Sequence, residues 1–328
     1  METTPSAAEI NTSPNSSTEE SEFGTASTPF EFFIKTLLVL AIFPNHLLNP
    51  LMLFTLRRVT SIQPTTKIFM ASLTLSDLCN SLWWILNLIA VFAGTWFMGE
   101  FLCAANQVMS SLFNALSIGA LLLLTVDRYI AISRPLRYPS IMTVQKSKII
   151  VCSTWATITV SSILIAGIDH NTVAVIGHNK KICVPKTYDW RVYLILVLVV
   201  LQLLTIFILY AHITLIAHNQ ARRIAAGNQA GNGQGGQRIN TRSTTTIIII
   251  TGTLIITWIP ILITLAKASQ NQWEPYDSFL AYMFTQALVL SNGWMNVAIY
   301  YLRNKDLRQA LCGMLSDWRK SLSQRLWG

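Results

Sequence analysis

Residues 103–138 have the sequence CAANQVMSSLFNALSIGALLLLTVDRYIAISRPLRY. An apolar run of membrane-spanning length ends here in Asp127 and Arg128, two opposite charges side by side at the water boundary. Cys103 and Arg128 are separated by roughly 37 Å of α-helix at about 1.5 Å per residue, enough to cross a hydrocarbon core of about 30 Å with some tilt. We therefore expect these two residues on opposite sides of a membrane, and the charge pair indicates more than a passive anchor.

The composition is that of a membrane protein. Of the 328 residues, 52% are hydrophobic and 12% are charged, against about 25% charged in a soluble domain. The net charge of +9 would also suit nucleic-acid binding, but the basic residues alternate with apolar segments and form no long cluster. We interpret them as orientation signals and expect no nucleic-acid partner.

Residues 1–31 are rich in Ser, Thr, Glu and Pro and contain no basic residue. This composition predicts a disordered segment. Asn11 and Asn15 begin Asn-x-Ser/Thr sequons and are glycosylation candidates, although so Ser/Thr-rich a segment also produces sequons by chance. No charged and apolar leader precedes the segment, so we expect the first apolar segment to direct membrane insertion.

Seven apolar segments follow, each long enough to cross a membrane, with no folded domain between them. They lie at about 32–56, 67–92, 103–133, 147–168, 192–217, 246–268 and 278–302. The predicted fold is therefore an all-α membrane protein with a seven-transmembrane helix bundle. It has three parts: a disordered extracellular N-terminus over 1–31, the transmembrane domain over 32–302, and an amphipathic helix with a short cytoplasmic tail over 303–328.

The distribution of basic residues predicts the orientation. Most Lys and Arg follow the first, third and fifth segments or lie in the C-terminal tail. The positive-inside rule then places the N-terminus outside and the C-terminus in the cytoplasm.

In the C-terminal tail, Leu307, Leu311, Leu315 and Trp318 recur at helical spacing with basic residues opposite. This pattern predicts an amphipathic helix along the inner membrane face, in contact with lipid. Cys312 on that helix is a candidate palmitoylation site, and equally a plain interfacial thiol.

The other four cysteines divide by position. Cys79 and Cys152 fall inside apolar segments, where a small apolar residue is the default interpretation. Cys103 and Cys183 both face the oxidising outer side, so we predict a disulfide that ties the outer loop to the third helix.

Several different short motifs lie along the apolar segments. They are Asn49, SLTLSDL at 72–78, WFMG at 96–99, Asp127-Arg128-Tyr129 with Pro135-Leu136 and Tyr138, Trp155, Tyr210, TWIP at 257–260 and NVAIY at 296–300. In this order and spacing the chain resembles a rhodopsin-like (class A) G-protein-coupled receptor, from the first segment through the amphipathic helix. The resemblance implies a plasma-membrane receptor without enzymatic activity. Its expected partners are an extracellular ligand, a heterotrimeric G protein, arrestin and membrane lipid.

An acid near mid-membrane is costly unless polar groups surround it. Asp77 is such an acid, and the groups expected to converge on it are Asn49, Ser117, Asn292 and Asn296. In the family this cluster holds an allosteric sodium ion in the resting state. Phe113 stands where a second polar residue is usual, and a hydrogen-bonded polar core without an ion is the alternative.

The resemblance also implies a switch at the Asp127-Arg128-Tyr129 motif. At rest Asp127 holds Arg128; on activation the arginine extends toward Tyr210 and Tyr300 and receives the C-terminal helix of a G protein.

A second part of the switch lies in the sixth segment. Trp258 lies beneath the outer cavity and Pro260 breaks the backbone next to it. In the family, a ligand that shifts this layer lets the sixth helix swing outward.

Four positions depart from the family pattern. Val297 and Gln202 stand where prolines are usual, Leu254 replaces an aromatic residue, and Asn240 replaces an acid that in some members pairs with the arginine. Because one restraint on the closed state is missing, we predict measurable basal activity.

The predicted ligand pocket is apolar with neutral polar groups. Ser110 stands where amine receptors carry an Asp, and Leu290 where opsins carry the retinal lysine, so we expect a neutral or lipophilic small molecule. The pocket residues are Asn106, Gln107, Ser110, Phe113, Asn114, Leu194, Leu198, Trp258, Ile261, Leu265, Tyr282 and Gln286. Lysines around the mouth (Lys180, Lys181, Lys186 and Lys267) would instead suit an acidic ligand or a peptide, unless they are only solvated loop residues.

The alternative functions are those of a transporter, a membrane enzyme and a receptor-like protein without coupling. A transporter should show an internal repeat, and none is present. A membrane enzyme would need a catalytic cluster, but the five histidines are scattered. A receptor-like protein that has lost G-protein coupling stays open.

Overall fold

Nearly all of the described residues lie in α-helices. The computed structural model describes residues 29–166, 173–176, 180–183, 190–229, 241–268 and 275–327. The helices are α1 (Pro29–Arg58), α2 (Pro64–Ala93), α3 (Gly99–Ser133), α4 (Tyr138–Ile141), α5 (Val144–Ala166), α6 (Trp190–Gln229), α7 (Thr241–Ala268), α8 (Pro275–Arg303) and α9 (Lys305–Trp327). The strands β1 (Val173–Ile176) and β2 (Lys180–Cys183) pair antiparallel. Asn11, Asn15, Lys186 and Asn240 lie outside the described residues.

The seven predicted segments overlap α1, α2, α3, α5, α6, α7 and α8 in that order. Within the described parts of the chain, five helices are long and apolar enough to cross a membrane: α1, α2, α3, α5 and α6. A shorter apolar helix covers Gly252–Lys267 in α7. Large apolar side chains such as Phe43, Ile163 and Ile256 are exposed on the helix surfaces. A helical protein with such an apolar exterior belongs in a lipid bilayer.

Local sequence explains several helix ends. α2 begins at Pro64, which suits the first helical turn because the amide there needs no intrahelical partner. It ends at Gly94, whose φ of 72° lies in the left-handed region that glycine adopts without steric cost. Pro44 and Pro50 lie inside α1 and Pro260 inside α7. Such interior prolines are tolerated in membrane helices, where neighbouring groups satisfy the freed backbone carbonyls.

Helices α2 and α3 are antiparallel and their polar side chains meet in one register. Thr66 donates to Asp127 (2.8 Å), Ser117 donates to Asp77 (2.5 Å), and Asn80 donates to Asn114 (2.7 Å). The spacing between successive bonded residues is nearly the same on α2 as on α3, as two aligned helices of equal rise require. We call this line of facing side chains the α2–α3 seam.

The remaining helices pack around the seam. Trp155 on α5 donates from Nε1 to the Ser72 hydroxyl on α2 at 2.9 Å. One buried cluster includes Phe69, Leu121 and Ile206 from three different helices. A second cluster joins α1, α2 and α8 through residues that include Ile34, Leu38, Trp84, Met283 and Leu290.

Helix α8 approaches α1 and α2 closely at Gly293. A Cβ at this position would lie 2.6 Å from Asn45 Oδ1 and 3.0 Å from the Asp77 Cβ. Asn45 is fixed there because its Nδ2 donates to the Leu290 carbonyl of α8 at 2.8 Å. The glycine therefore permits the contact that brings α8 against Asp77.

We predict that Gly293→Ala destabilises the bundle. The added methyl group has no space, and overpacking of this kind costs about 1–3 kcal/mol of the free energy of unfolding. Gly119→Ala is the matched control, since a Cβ there would make an ordinary 3.4 Å contact with Ile158. Thermal unfolding in detergent should show a lower midpoint for Gly293→Ala only; equal midpoints for the two variants would contradict the close approach.

Candidate functional site

The first part of the site is a buried polar cluster around Asp77 on α2. Its Oδ1 accepts from the Ser117 hydroxyl of α3 at 2.5 Å, while its Oδ2 has no hydrogen-bond partner among the described residues. Asn49 on α1 is buried but donates to Asn45, at 2.8 Å between Nδ2 and Oδ1. Asn45 thus links α1 to α8, a role that the sequence analysis missed.

Helix α8 adds Asn292 and Asn296, which lie one turn apart on either side of Gly293 and are both buried. Four side-chain oxygens in this region are buried without a partner among the described residues: Asp77 Oδ2, Asn49 Oδ1, Asn292 Oδ1 and Asn296 Oδ1. One carboxylate and three amide oxygens form the donor set that hard cations prefer. In the described part of the chain, no group of three or more His, Cys, Asp or Glu gathers.

The second part of the site is a hydrogen-bonded network around Asp127 on α3. The carboxylate is fully buried and accepts from Arg128 Nη2 (2.9 Å), Thr66 Oγ1 (2.8 Å) and Tyr138 Oη (2.5 Å). Arg128 Nη2 also contacts Thr66 Oγ1. The Arg128 side chain remains 37% exposed, while its Nε is buried without a partner among the described residues.

Tyr138 lies in the short helix α4, outside the long helices. Burial, and after it the hydrogen bond to Asp127, raise the pKa of the Tyr138 hydroxyl above its usual value. The hydroxyl therefore keeps its proton at physiological pH and donates a hydrogen bond to Asp127. Thr65 Oγ1 lies 2.7 Å from the Tyr138 oxygen. Thr65 and Thr66 are not among the site residues predicted from the sequence, where their only signal is two adjacent hydroxyls directly after the Pro64 helix start.

The other switch residues lie near this network without bonding to it. The Tyr129 ring lies 6.1 Å from the His212 ring of α6. Tyr210 is buried on α6, and the Tyr300 hydroxyl has no hydrogen-bond partner among the described residues. The hydrogen bonds described for Arg128 go to Asp127 and Thr66.

The predicted disulfide lies at the Cys103 end of α3. Cys103 and Cys183 are bonded, with their Cα atoms 5.7 Å apart. This confirms the prediction and joins the β1–β2 hairpin to α3. Trp96 packs against both cysteines, donates from its backbone to the Lys181 carbonyl (2.7 Å), and donates from Nε1 to Gly99 (2.8 Å). The hairpin is thereby fixed over the α2–α3 connection.

The predicted pocket residues fall into two groups. Asn106, Ser110, Trp258, Ile261 and Gln286 are buried, while Gln107, Phe113, Asn114, Leu265 and Tyr282 are partly buried or pack against the core. Leu194 and Leu198 on α6 are 38% and 50% exposed, and lie off the face of α6 that carries Val199, Leu203 and Ile206 into the core. The structure therefore brings the α3, α7 and α8 residues inward, whereas the two α6 leucines remain on the surface.

Helix α9 lies against the end of α1. Leu307 and Met314 are buried, and Arg58 forms a 2.6 Å ion pair with Asp317. The Trp318 and Phe54 rings are 6.3 Å apart, edge to face. Cys312 is a free, exposed thiol on this helix.

Comparison with known proteins agrees with this arrangement. Residues 48–300 match the sequence profile of the family described as 7 transmembrane receptor (rhodopsin family). The chain belongs to this family. As a rhodopsin-family receptor it is a multi-pass membrane protein of a non-enzymatic signalling class.

The rhodopsin-family receptor is also similar to cannabinoid receptor 1 of Xenopus laevis. The two are 30% identical over 278 residues, which cover 75% of this chain and 55% of that protein. The chain thus spans about half the length of this curated relative.

We predict that the disulfide contributes strongly to stability. Cys103 and Cys183 are separated by 80 residues, and removing a disulfide that closes a loop of this kind typically costs about 2–5 kcal/mol of unfolding free energy. The double variant Cys103→Ala, Cys183→Ala should unfold at a lower temperature in detergent than the control Cys312→Ala. A midpoint equal to that of the control would contradict the prediction and leave the hairpin held by its hydrogen bonds to Thr95 and Trp96.

Proposed function

We propose that this rhodopsin-family receptor transmits an extracellular ligand signal to a heterotrimeric G protein through an outward movement of α7, the sixth membrane helix. In this proposal α1, α2, α3, α5, α6, α7 and α8 all cross the plasma membrane, and α9 lies along its inner face. The N-terminus is outside and the C-terminus is in the cytoplasm, as the charge distribution of the chain favours. Residues 1–31, 32–302 and 303–328 are then the outer segment, the bundle and the inner helix with its tail.

One observation carries the proposal: the buried Asp127 holds the partly exposed guanidinium of Arg128 at the inner end of the bundle. The carboxylate is fully satisfied by Arg128, Thr66 and Tyr138, so the network has a low-energy closed arrangement. A partner that binds the freed arginine gains a charge-assisted contact only in the open arrangement. That differential contact is what a two-state switch requires.

The described side chains of α7 are compatible with such a movement. The hydrogen bonds described for Thr257 and Thr264 stay within α7. Trp258 and Ile261 pack in the buried apolar cluster, and Trp258 Nε1 has no hydrogen-bond partner among the described residues. Pro260 lies between them and weakens the helix backbone at that level. Shifting the Trp258 layer therefore breaks few directional contacts, which supports α7 as the moving helix.

The proposed ligand is a neutral or lipophilic small molecule. The buried polar groups that face the pocket are uncharged: Asn106, Ser110 and Gln286. An ionised ligand group would be desolvated there without a counter-charge, which is costly. An acidic or peptide ligand would have to be held at the mouth instead, where the Lys181 side chain is exposed.

Agonist-free G-protein activation in cells tests the proposal. Arg128→Ala should abolish it, because the partner contact is lost. Thr66→Val should raise it, because a hydrogen bond to a charged group contributes about 1.5–3 kcal/mol and its loss favours the open state by about tenfold or more. The matched controls, Arg325→Ala and Thr36→Val, change exposed residues of the same types.

The combination of results decides between receptor classes. Basal activity that falls with Arg128→Ala and rises with Thr66→Val supports a coupled receptor. Identical signals from native chain, variants and mock-transfected cells, at equal surface expression, would favour a receptor-like protein without coupling.

We also propose that the Asp77 cluster binds sodium in the resting state. The unpaired oxygens of Asp77, Asn49, Asn292 and Asn296 would hold the ion, which would supply the positive charge that the buried carboxylate lacks. A buried carboxylate with one unpaired oxygen is otherwise costly.

A thermal-shift experiment checks the sodium proposal. Replacing choline chloride by sodium chloride at constant ionic strength should stabilise the purified receptor, by about 1.4 kcal/mol when sodium is at tenfold its dissociation constant. Asp77→Asn should remove this difference, whereas Asp306→Asn, which changes an exposed acid, should keep it. A native receptor that melts identically in both salts would leave a hydrogen-bonded polar core without an ion.

A further inference from the structure

The α2–α3 seam continues outward beyond its last hydrogen-bonded pair, Asn80 and Asn114. Four residues further along α2 lies Trp84, and four residues back along α3 lies Ser110. Another turn outward brings Asn106 to the seam, directly below the disulfide. Because the two helices rise equally per residue, Trp84 and Ser110 lie at the same level.

The polar atoms along this outer part of the seam are buried but unpaired. Asn106 is 0% exposed, and neither its Oδ1 nor its Nδ2 has a partner among the described residues. The same holds for Ser110 Oγ, Trp84 Nε1 and Asn80 Oδ1. Inward along the same two helices, Asp77 and Asp127 each accept a hydrogen bond across the seam.

The unpaired atoms on this outer part of the seam have an energetic cost. A buried donor or acceptor without a partner costs about 1–3 kcal/mol, and most such groups in folded proteins are paired. Five unpaired atoms on four neighbouring residues are therefore expensive for the ligand-free bundle. A bound molecule that supplies the missing hydrogen-bond partners would remove this cost.

Helix α8 provides the third wall of this place. The Tyr282 ring lies 6.3 Å from the Trp84 ring. One turn further along α8, Gln286 is buried and its Oε1 has no partner among the described residues. The wall thus combines an aromatic surface with one more hydrogen-bond acceptor.

The donors and acceptors of the lining residues indicate which ligand group would pair with them. Asn106 offers an acceptor and a donor in one plane, Ser110 offers both from one atom, and Trp84 offers a donor. None of these groups is charged, so an ionised group would lose its hydration without a counter-ion. An uncharged group that both donates and accepts, such as a carboxamide, satisfies the set.

We propose that a neutral ligand inserts a carboxamide-type head group between the outer halves of α2 and α3. The head group pairs with Asn106 and Ser110, and the apolar remainder lies against Tyr282 and Trp258. This inference rests on the proposed receptor function, because it specifies which ligand class the outer pocket accepts.

Direct binding to the purified full chain tests the inference without a signalling step. The probes are phenylalkyl compounds with one common body, ending in a primary carboxamide, a carboxylate, an ammonium group or a methyl group. The carboxamide should bind at least tenfold more tightly than the other three. Ser110→Ala and Asn106→Leu should remove this preference, whereas Ser81→Ala should keep it, since Ser81 is buried but bonds to Leu78 of its own helix.

A second readout distinguishes recognition from a structural role. Asn106→Leu replaces an unpaired amide by an apolar side chain of similar size, so the ligand-free variant should melt at or above the native temperature. If the variant melts lower and the four probes bind equally, the amide is satisfied internally, for example by water, and the inference is wrong. Tightest binding of the carboxylate or ammonium probe would also overturn it.

The two proposals can fail separately. A carboxamide probe that binds through Asn106 but leaves G-protein activation unchanged at saturation would contradict only its role as a signalling ligand. Activation by a probe whose affinity is insensitive to Asn106→Leu and Ser110→Ala would contradict only the head-group site.

Discussion

The hydrogen bond from Ser117 to Asp77 is the interaction on which the rest of the structure depends. It fixes α3 against α2 at mid-bundle, and the pairs Thr66–Asp127 and Asn80–Asn114 extend the same register in both directions. In a bilayer the hydrophobic effect does not drive helices together, so hydrogen bonds and close packing decide how they pair. A bundle aligned in this way has a rigid pair of helices at its centre.

The two ends of the α2–α3 seam differ in whether their buried polar groups are paired. At the inner end, Asp127 is fully satisfied and its partner Arg128 stays partly exposed, an arrangement suited to release toward a protein partner. At the outer end, Asn106 and Ser110 are buried and unpaired, an arrangement suited to capture of a small molecule. Between them lie the unpaired oxygens around Asp77, where we propose a cation site. In this proposal one line of polar residues would connect ligand, ion and G protein, and α7 would supply the movement.

Much of this could be predicted from the sequence, because bilayer thickness sets the length of apolar segments and local chemistry sets their ends. The Cys103–Cys183 disulfide was predicted from the positions of the two cysteines, whereas the pairing of Asp127 with Arg128 was predicted from the resemblance to the family. Asn45, Thr65 and Thr66 could not be found, since their importance comes from the rotation and register of one helix against another, which no local pattern encodes. The surface placement of Leu194 and Leu198 has the same cause: their helical rotation is set by Val199, Leu203 and Ile206 packing into the core.

The central claim is that the α2–α3 pair stays fixed while α7 moves. Nitroxide labels at Ser61, which precedes α2, at Ser140 in α4, which follows α3, and at Ser243 near the start of α7 allow two distances to be measured by pulsed electron paramagnetic resonance. On addition of nucleotide-free G protein, the Ser61–Ser243 distance should lengthen while the Ser61–Ser140 distance stays constant. An unchanged Ser61–Ser243 distance in the G-protein complex, or an equal change in both distances, would contradict the account.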